Sequence, residues 1–507
     1  MKAPASVGEE QVQIHGHDVA RSADVFRSRP VLTALFFLGI GATLEFFGPT
    51  WAKLLASPNA APDRVDQATP SPTQVLSGEA ELREESKSAA ALAQPEKVEA
   101  PTAPRGPLAT EHQAEGGDDG LPDVGKPPRG VEHLESLHSF YEALARTERR
   151  EPRAITRIAH FGDSVVASDF VSATLRRNFQ KRFGDAGHGF SLIANAWPAY
   201  FHNDVTRFAS EGWRVSRIVG PTVSDGWYGL GGVSFRAPPG VRARFGTATT
   251  GNFGRKVSRF DVAYVQEPFG GSFKVNLDGA PYGEIPTASP EKKTAHYEVR
   301  TTDGEHMLEL VSSGPGSVRA FGVVMEREEP GVVWDALGIL GARIRFLDKQ
   351  DDAHYAESLR WRSPNLIVYQ FGANESGDGW AYSMEDYHRT MKEVLLQGKA
   401  AVPTASCLII GAMDRARVIE NKTESMRIIP LIVEQQAKVA KEVGCAFFNT
   451  FLAMGGSGSM RTWVNRGWGA GDLTHPTSFG AQVLGDWIFA GMVDGYDKFH
   501  AAAAQPR

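Results

Sequence analysis

Beyond Val131 the chain alternates short apolar runs with stretches of helical period, and the two patterns take turns in a regular order. Ile155 to Phe161 reads as a buried strand, and Val166, Phe170, Ala173, Phe179 and Phe183 then share one face of an amphipathic segment. Leu366 to Phe371, Cys407 to Gly411 and Ala446 to Phe448 predict further buried strands. Between and after them, Met384, Tyr387, Met391, Val394 and Leu395 mark one helix, and Phe479, Val483, Trp487 and Met492 mark a final one. Strands alternating with helices predict an α/β fold, a doubly wound parallel sheet in a three-layer α/β/α arrangement. Sites of such sheets form at the carboxyl ends of the strands.

The middle of the chain departs from this rhythm. Short alternating runs such as Phe260 to Val265, Gly271 to Leu277 and His306 to Val311 lie between turn-forming residues, with Asp278-Gly279 a strong tight-turn signal. Because strand–helix alternation resumes after Gly331, residues 196–330 are predicted to be an antiparallel β-sandwich inserted into the α/β domain, whose two parts are 131–195 and 331–500.

The N-terminal region shows neither pattern. Val31 to Trp51, VLTALFFLGIGATLEFFGPTW, spans roughly 30 Å as a helix, enough for a bilayer core, although Glu45 would cost about 2.5–3.5 kcal/mol at its centre. Arg21, Arg27 and Arg29 precede it and favour a cytoplasmic tail over residues 1–30. The segment is read as an uncleaved membrane anchor, with a cleaved signal peptide as the alternative, and both export the chain beyond it. Residues 52–130 are rich in Ala, Pro, Glu, Ser and Gly, have few aromatics, and are expected to be a disordered tether.

Composition narrows the chemistry. The 507 residues are 42% hydrophobic and 10% aromatic, and 54 basic against 60 acidic residues leave a net charge of −6. With no long basic block to track a phosphate backbone, nucleic acid is not an expected partner. The two cysteines, Cys407 and Cys445, each sit in an apolar run and are expected to be buried, inert thiols rather than a zinc site or a disulfide.

Several short motifs carry candidate chemistry. In HFGDSVVASD, Ser164 falls where the first strand gives way to a helix, so either Ser164 or Asp163 simply caps that helix or Ser164 presents a nucleophilic hydroxyl and its own N–H at the sheet edge. Asp472-Leu-Thr-His475 spaces an acid and an imidazole so that one tight turn can present both. A serine nucleophile needs such a pair, the imidazole to take its proton and the acid to fix the tautomer. Asn374, after the strand ending at Phe371, can donate to a developing oxyanion, a contribution of about 2.7–4 kcal/mol in a formed hole. In Gly338-Ile-Leu-Gly341, either glycine could bring a backbone N–H to the same oxygen. His160 reads as a packed strand residue. No zinc-protease, P-loop or dinucleotide fingerprint appears, and neither a metal nor an organic cofactor is expected.

Taken in this order, the motifs resemble the SGNH hydrolases, also called GDSL esterases, over about residues 131–190 and 332–499. The resemblance implies that Ser164 is the nucleophile and first oxyanion donor, Gly341 the backbone donor and Asn374 the side-chain donor, with Asp472 and His475 completing a triad. Leu340 and Glu375 depart from the commoner residues at their positions and leave Gly338 as an alternative to Gly341. With the inserted sandwich, and with FGDAGHGF, VWDALGILG and MGGSGSM, the chain resembles the bacterial peptidoglycan O-acetylesterases that carry a carbohydrate-binding-module-like insertion. The implied activity is hydrolysis of O-acetyl groups from a cell-envelope polysaccharide, most readily muramic acid in peptidoglycan, by a domain held in the periplasm by its anchor or secreted. Trp227, Tyr228, Trp463 and Trp468 are candidates for stacking on sugars, with ordinary core packing as the alternative. An acetyltransferase of the same fold and a non-catalytic wall-binding protein are the rival functions.

Overall fold

The computed structural model describes residues 129–379 and 383–503. The expected tail, membrane segment 31–51 and nearly all of the tether 52–130 lie outside them. Among the described residues no helix is long and apolar enough to cross a membrane.

Helix α1 (His138–Glu148) leads into β1 (Ile155–Gly162), α2 (Ser164–Ala167) and α3 (Phe170–Phe183). Where the sequence predicts one continuous amphipathic segment, the structure breaks it at Ser168–Asp169. Asp169 takes a left-handed φ of 52° while its buried carboxylate accepts from Arg176 and from the Asn203 backbone. Next come strands β2 (Gly189–Leu192), β3 (Val205–Ala209), β4 (Arg214–Arg217), β5 (Val233–Ala237), β6 (Arg242–Thr247) and β7 (Val257–Gln266). They are succeeded by β8 (Ser272–Leu277), β9 (Ala280–Pro286), β10 (Lys293–Gly304), β11 (Met307–Ser313) and β12 (Val318–Glu326). The chain then returns to the α/β pattern with β13 (Gly331–Gly338), α4 (Asp352–Arg362), β14 (Leu366–Gln370), α5 (Ala373–Asp378) and α6 (Met384–Ala401). It ends with β15 (Ser406–Ile410), the hairpin β16 (Ala416–Ile419) and β17 (Lys422–Ser425), α7 (Ile429–Val443), β18 (Ala446–Phe448), α8 (Thr450–Met454), α9 (Ser459–Asn465) and α10 (Ser478–Ala503).

The parallel sheet runs β13-β1-β14-β15-β18. Numbered within the α/β part alone, this is the order 2-1-3-4-5, whose topological switch lies between the first and third strands. Those strands, β1 and β14, lead directly into the turns that carry Ser164 and Asn374. Every residue of β14, β15 and β18 is buried, as a sheet covered on both faces requires.

The insertion forms two antiparallel sheets, β10-β7-β12-β5-β4 and β3-β6-β11-β8-β9. Their facing sides meet around Phe235, Phe273 and Trp213. It begins earlier than the expected residue 196, because β2 pairs antiparallel with β12. Nor is it a separate body: one apolar core runs from Phe273 and Val275 in the sandwich to Phe161 and Tyr369 in the parallel sheet. Helix α4 serves both halves, its Tyr355 ring meeting Phe161 of β1 and its His354 ring meeting Phe321 of β12.

A buried ionic hub fixes the same junction. Glu326, fully buried at the end of β12, accepts from Arg157 of β1, Arg259 of β7 and Arg362 of α4, and Arg362 also pairs with Asp335 of β13. Burial alone would push the Glu326 carboxyl up, but the guanidiniums of Arg362, Arg157 and Arg259 hold it well below the usual range.

Cys407 and Cys445 are buried as expected but are not thiols. They form a disulfide. Cys407 lies in β15 and Cys445 immediately before β18, the neighbouring strand, so pairing of the two strands brings together residues 38 apart in sequence.

Candidate active site

Two loops at the carboxyl edge of the parallel sheet meet at the Ser164 hydroxyl, and a third is tied to them through Arg415. The first is the β1–α2 turn. Asp163 caps α2 by accepting from Val165 N at 3.1 Å, which leaves Ser164 as the first helical residue. The capping and nucleophile readings of this turn are therefore compatible, because the two jobs fall to adjacent residues. The N–H of a first-turn residue has no partner within its own helix. Gly162 permits the tight approach, since a Cβ there would stand 2.2 Å from Val166 Cγ2.

The second loop carries Asp472 and His475. Asp472 Oδ1 accepts from the backbone of Thr474 at 2.9 Å and of His475 at 3.0 Å, closing the turn on itself. Leu473 between them adopts φ 59°, a conformation most L-residues avoid, and its carbonyl accepts from Ala416 N. The turn aims the side chains in series: His475 Nδ1 lies 2.7 Å from Asp472 Oδ2, and His475 Nε2 lies 2.7 Å from Ser164 Oγ. Partial burial works to raise the Asp472 pKa. The bond from the His475 ring, the ring's charge and the two backbone N–H groups outweigh it and hold the carboxyl well below the usual range. An ionised Asp472 keeps the proton on Nδ1 and leaves Nε2 able to accept one from Ser164.

The third element joins the ends of β13 and β14. Gly338 ends β13 opposite Gly162, and a Cβ on it would meet Ala167 N at 2.1 Å. It is thus a close-packing residue against α2. Gly341 occupies the third position of a turn closed by Ala342 N donating to Ile339 O, and its φ of 72° is the left-handed value a type II turn asks for. Of the two glycines, Gly341 is the one in an irregular loop. Asn374 is 3% exposed and donates from Nδ2 to Ala342 O at 3.0 Å, while Glu375 Oε1 accepts from Ile344 N at 2.8 Å. Two consecutive residues of α5 thereby bracket the loop that bears Gly341.

One group that organises the site, Arg415, was not singled out from the sequence. Arg415, just beyond β15, donates to Thr474 Oγ1 at 3.1 Å and to Ala373 O at 2.6 Å, tying the Asp472–His475 turn to the Asn374 turn. An arginine in the loop that follows a buried strand was the available signal. Asp163 is buried behind Ser164. Burial, reinforced by Glu375, pushes its carboxyl up to about 7, against the backbone bonds from Val165 and Ala373 and the attraction of His475.

The other sequence candidates resolve differently. His160 is packed, with Nε2 3.1 Å from Gln370 Oε1 and Trp334 donating to Nδ1, and burial drops its pKa to about 3. Tyr228 and Trp463 are buried at 1% and 2% exposure, and Trp463 packs edge-on against Trp468 and Trp487. Neither offers a face to a sugar. Trp227 is stacked at 4.6 Å on His354 and has Lys292 Nζ 3.8 Å from its ring centroid, so its ring too is engaged within the protein. Trp468, half-buried like Trp227, lies beside the exposed Phe479. No group of three or more His, Cys, Asp or Glu side chains among the described residues is arranged to hold a metal ion.

No family model and no curated protein sequence matches this chain. Solved structures do. One described as a peptidoglycan O-acetylesterase in action aligns with a TM-score of 0.62 at 19% identity, covering 72% of this chain and 99% of that one. Partial matches include an acetylxylan esterase, Axe2 from Geobacillus stearothermophilus, with a TM-score of 0.25 and 16% identity over 32% of this chain and 73% of that one. A family two carbohydrate esterase from Cellvibrio japonicus gives 0.22 and 12%, over 58% and 98%. At such identity what is shared is architecture: the chain has the fold expected from the SGNH resemblance, similar to that of the peptidoglycan O-acetylesterase.

Proposed function

We propose that this protein is a serine esterase of the SGNH type that removes O-acetyl groups from a cell-envelope polysaccharide, with peptidoglycan the first candidate. The observation that carries the reading is the unbroken line Asp472 Oδ2–His475–Ser164 Oγ, with 2.7 Å at each junction, ending at the switch point of a doubly wound sheet.

In this mechanism His475 Nε2 takes the Ser164 proton as Oγ attacks the acetyl carbonyl carbon. The carbonyl electron pair moves onto oxygen, which is met by the N–H of Ser164, the N–H of Gly341 and the Asn374 amide. The tetrahedral species collapses, the C–O bond to the sugar breaks, and His475 returns the proton to the departing alkoxide. Water, deprotonated by the same imidazole, then attacks the acetyl-serine; acetate leaves and Ser164 regains its proton. Asp472 stabilises the imidazolium in both halves without itself taking the proton.

The Cys407–Cys445 disulfide supports an exported location, since such bonds persist in oxidising compartments. The apolar segment 31–51 and the tether 52–130 would hold the domain at the envelope, within reach of a polymer. The fold similarity to a peptidoglycan O-acetylesterase favours that polymer over xylan. Acetate release from O-acetylated peptidoglycan, acetylated xylan and para-nitrophenyl acetate tests the proposal. Release should be highest on peptidoglycan and fall to background in Ser164→Ala; undiminished release by that variant would overturn the mechanism. Transfer to an added glycan acceptor exceeding hydrolysis would instead mark an acetyltransferase.

A further inference from the structure

A groove of about 520 Å³ lies between α3, the first turn of α10 and two loops of the inserted sandwich. Its volume falls within the range of roughly 300–1,000 Å³ typical of ligand sites. Four separate stretches supply its walls: Lys181 on α3, Phe479 and Gln482 on α10, and the loops bearing Asn203 and Phe253 in the insertion. Phe479 is 50% exposed, an unusual position for a large aromatic at the start of a packed helix. Phe253 lies beneath the Arg177 guanidinium at 5.9 Å, and Arg177 is held by both carboxylate oxygens of Asp204. The aromatic ring is thus braced rather than loose.

The groove is joined to the triad by the chain itself. Ser478 in its wall is three residues after His475, so their Cα atoms are at most about 11 Å apart. Aromatic rings together with amide and ammonium groups suit a pyranose, whose axial C–H surface stacks on aromatics while its equatorial hydroxyls take hydrogen bonds. A small acyl ester has no use for such a surface three residues along the chain from its catalytic histidine. A polymer held at the serine by one sugar must lay its neighbours somewhere.

We propose that this groove is a glycan subsite that holds the sugars flanking the acetylated residue, and that the inserted sandwich contributes to it through Phe253 and Asn203. The inference rests on the polysaccharide reading above. It assigns the sandwich a part in substrate binding at the catalytic cleft rather than at a remote lectin-like site.

The test uses the full chain carrying Ser164→Ala, titrated with a peptidoglycan tetrasaccharide free of stem peptides, alone and combined with Phe479→Ala or Phe253→Ala. Each aromatic truncation should weaken binding roughly three- to tenfold, the loss expected for one stacking contact. In the Ser164 background, the same truncations should raise KM on O-acetylated glycan by a similar factor and leave kcat on para-nitrophenyl acetate unchanged. Equal tetrasaccharide binding by all three proteins, or no binding by any, would overturn the subsite. If the tetrasaccharide binds and the truncations weaken it, yet the Ser164 protein releases no acetate from any glycan, the esterase reading fails and the subsite stands.

Discussion

His475 and His202 each place a ring nitrogen within 3.0 Å of a hydroxyl, Ser164 in one case and Tyr200 in the other, yet they are built for opposite ends. Behind His475 stands a half-exposed carboxylate, Asp472, fixed by two backbone N–H groups. The far nitrogen of His202 instead meets another imidazole, His188, and both residues are buried. Burial lowers the His202 pKa to about 4, against the pull of Asp169 and with further depression from Arg176 and Arg207. A histidine becomes a base when something on its other side stabilises the cation, and when substrate can reach it. Where neither holds, the same hydroxyl contact is only a buried hydrogen bond.

Removing the carboxylate should break the distinction most severely. Asp472→Asn keeps the turn's shape but offers Nδ1 an amide that cannot stabilise the imidazolium, and acetate release should fall about 10³–10⁴-fold with the fold intact by circular dichroism. A loss under tenfold would show that Asp472 is not the orienting acid.

The reciprocal change is His202→Leu, which leaves the Tyr200 hydroxyl and His188 short of a partner. It should cost about 1–3 kcal/mol in urea unfolding at neutral pH and leave para-nitrophenyl acetate turnover within about twofold. Because the native state holds His202 neutral, the unfolded chain takes up its proton first as pH falls. The wild type therefore loses stability from about pH 6.5 down to about 4, and the variant's decline should be shallower over that window.

A smaller effect tests the turn itself. Leu473→Gly removes a half-buried side chain but relieves the left-handed backbone at φ 59°, a strain of order 1–3 kcal/mol. The two should nearly cancel, giving a change within about 1 kcal/mol and an active enzyme. A loss as large as that of an ordinary leucine truncation would show that the turn is unstrained.

The α/β half was legible in the sequence because its strands are nearly continuous apolar runs, a signal that survives without knowledge of neighbours. Ile155, Leu366 and Ala446 begin strands where the pattern predicts them. Ser164, Asn374 and the Asp472–His475 pair were legible because they come directly after such runs or sit in a short polar turn. What failed to show was whatever depends on a distant partner. Cys407 and Cys445 look like isolated core residues until β15 and β18 pair. Asp169 interrupts a helix-compatible segment because a buried arginine and the Asn203 loop claim its carboxylate. Trp227 and Tyr228 are adjacent aromatics of similar composition, and only packing decides that one is stacked on His354 and the other enclosed.

From local pattern alone came the kinds of element, their order, the inserted β segment and the chemical identity of the residues gathered at the sheet edge. Periodicity and turn chemistry act over a few residues and need nothing else. The tertiary structure decided which of those residues touch: that His475 reaches across 311 positions to Ser164, that Arg415 and Glu375 brace the loops around it, and that Phe253 and Phe479 face one groove. Such contacts are set by how the strands pair and which faces the helices cover, a balance of burial and polar satisfaction over the whole core that no short stretch of sequence contains.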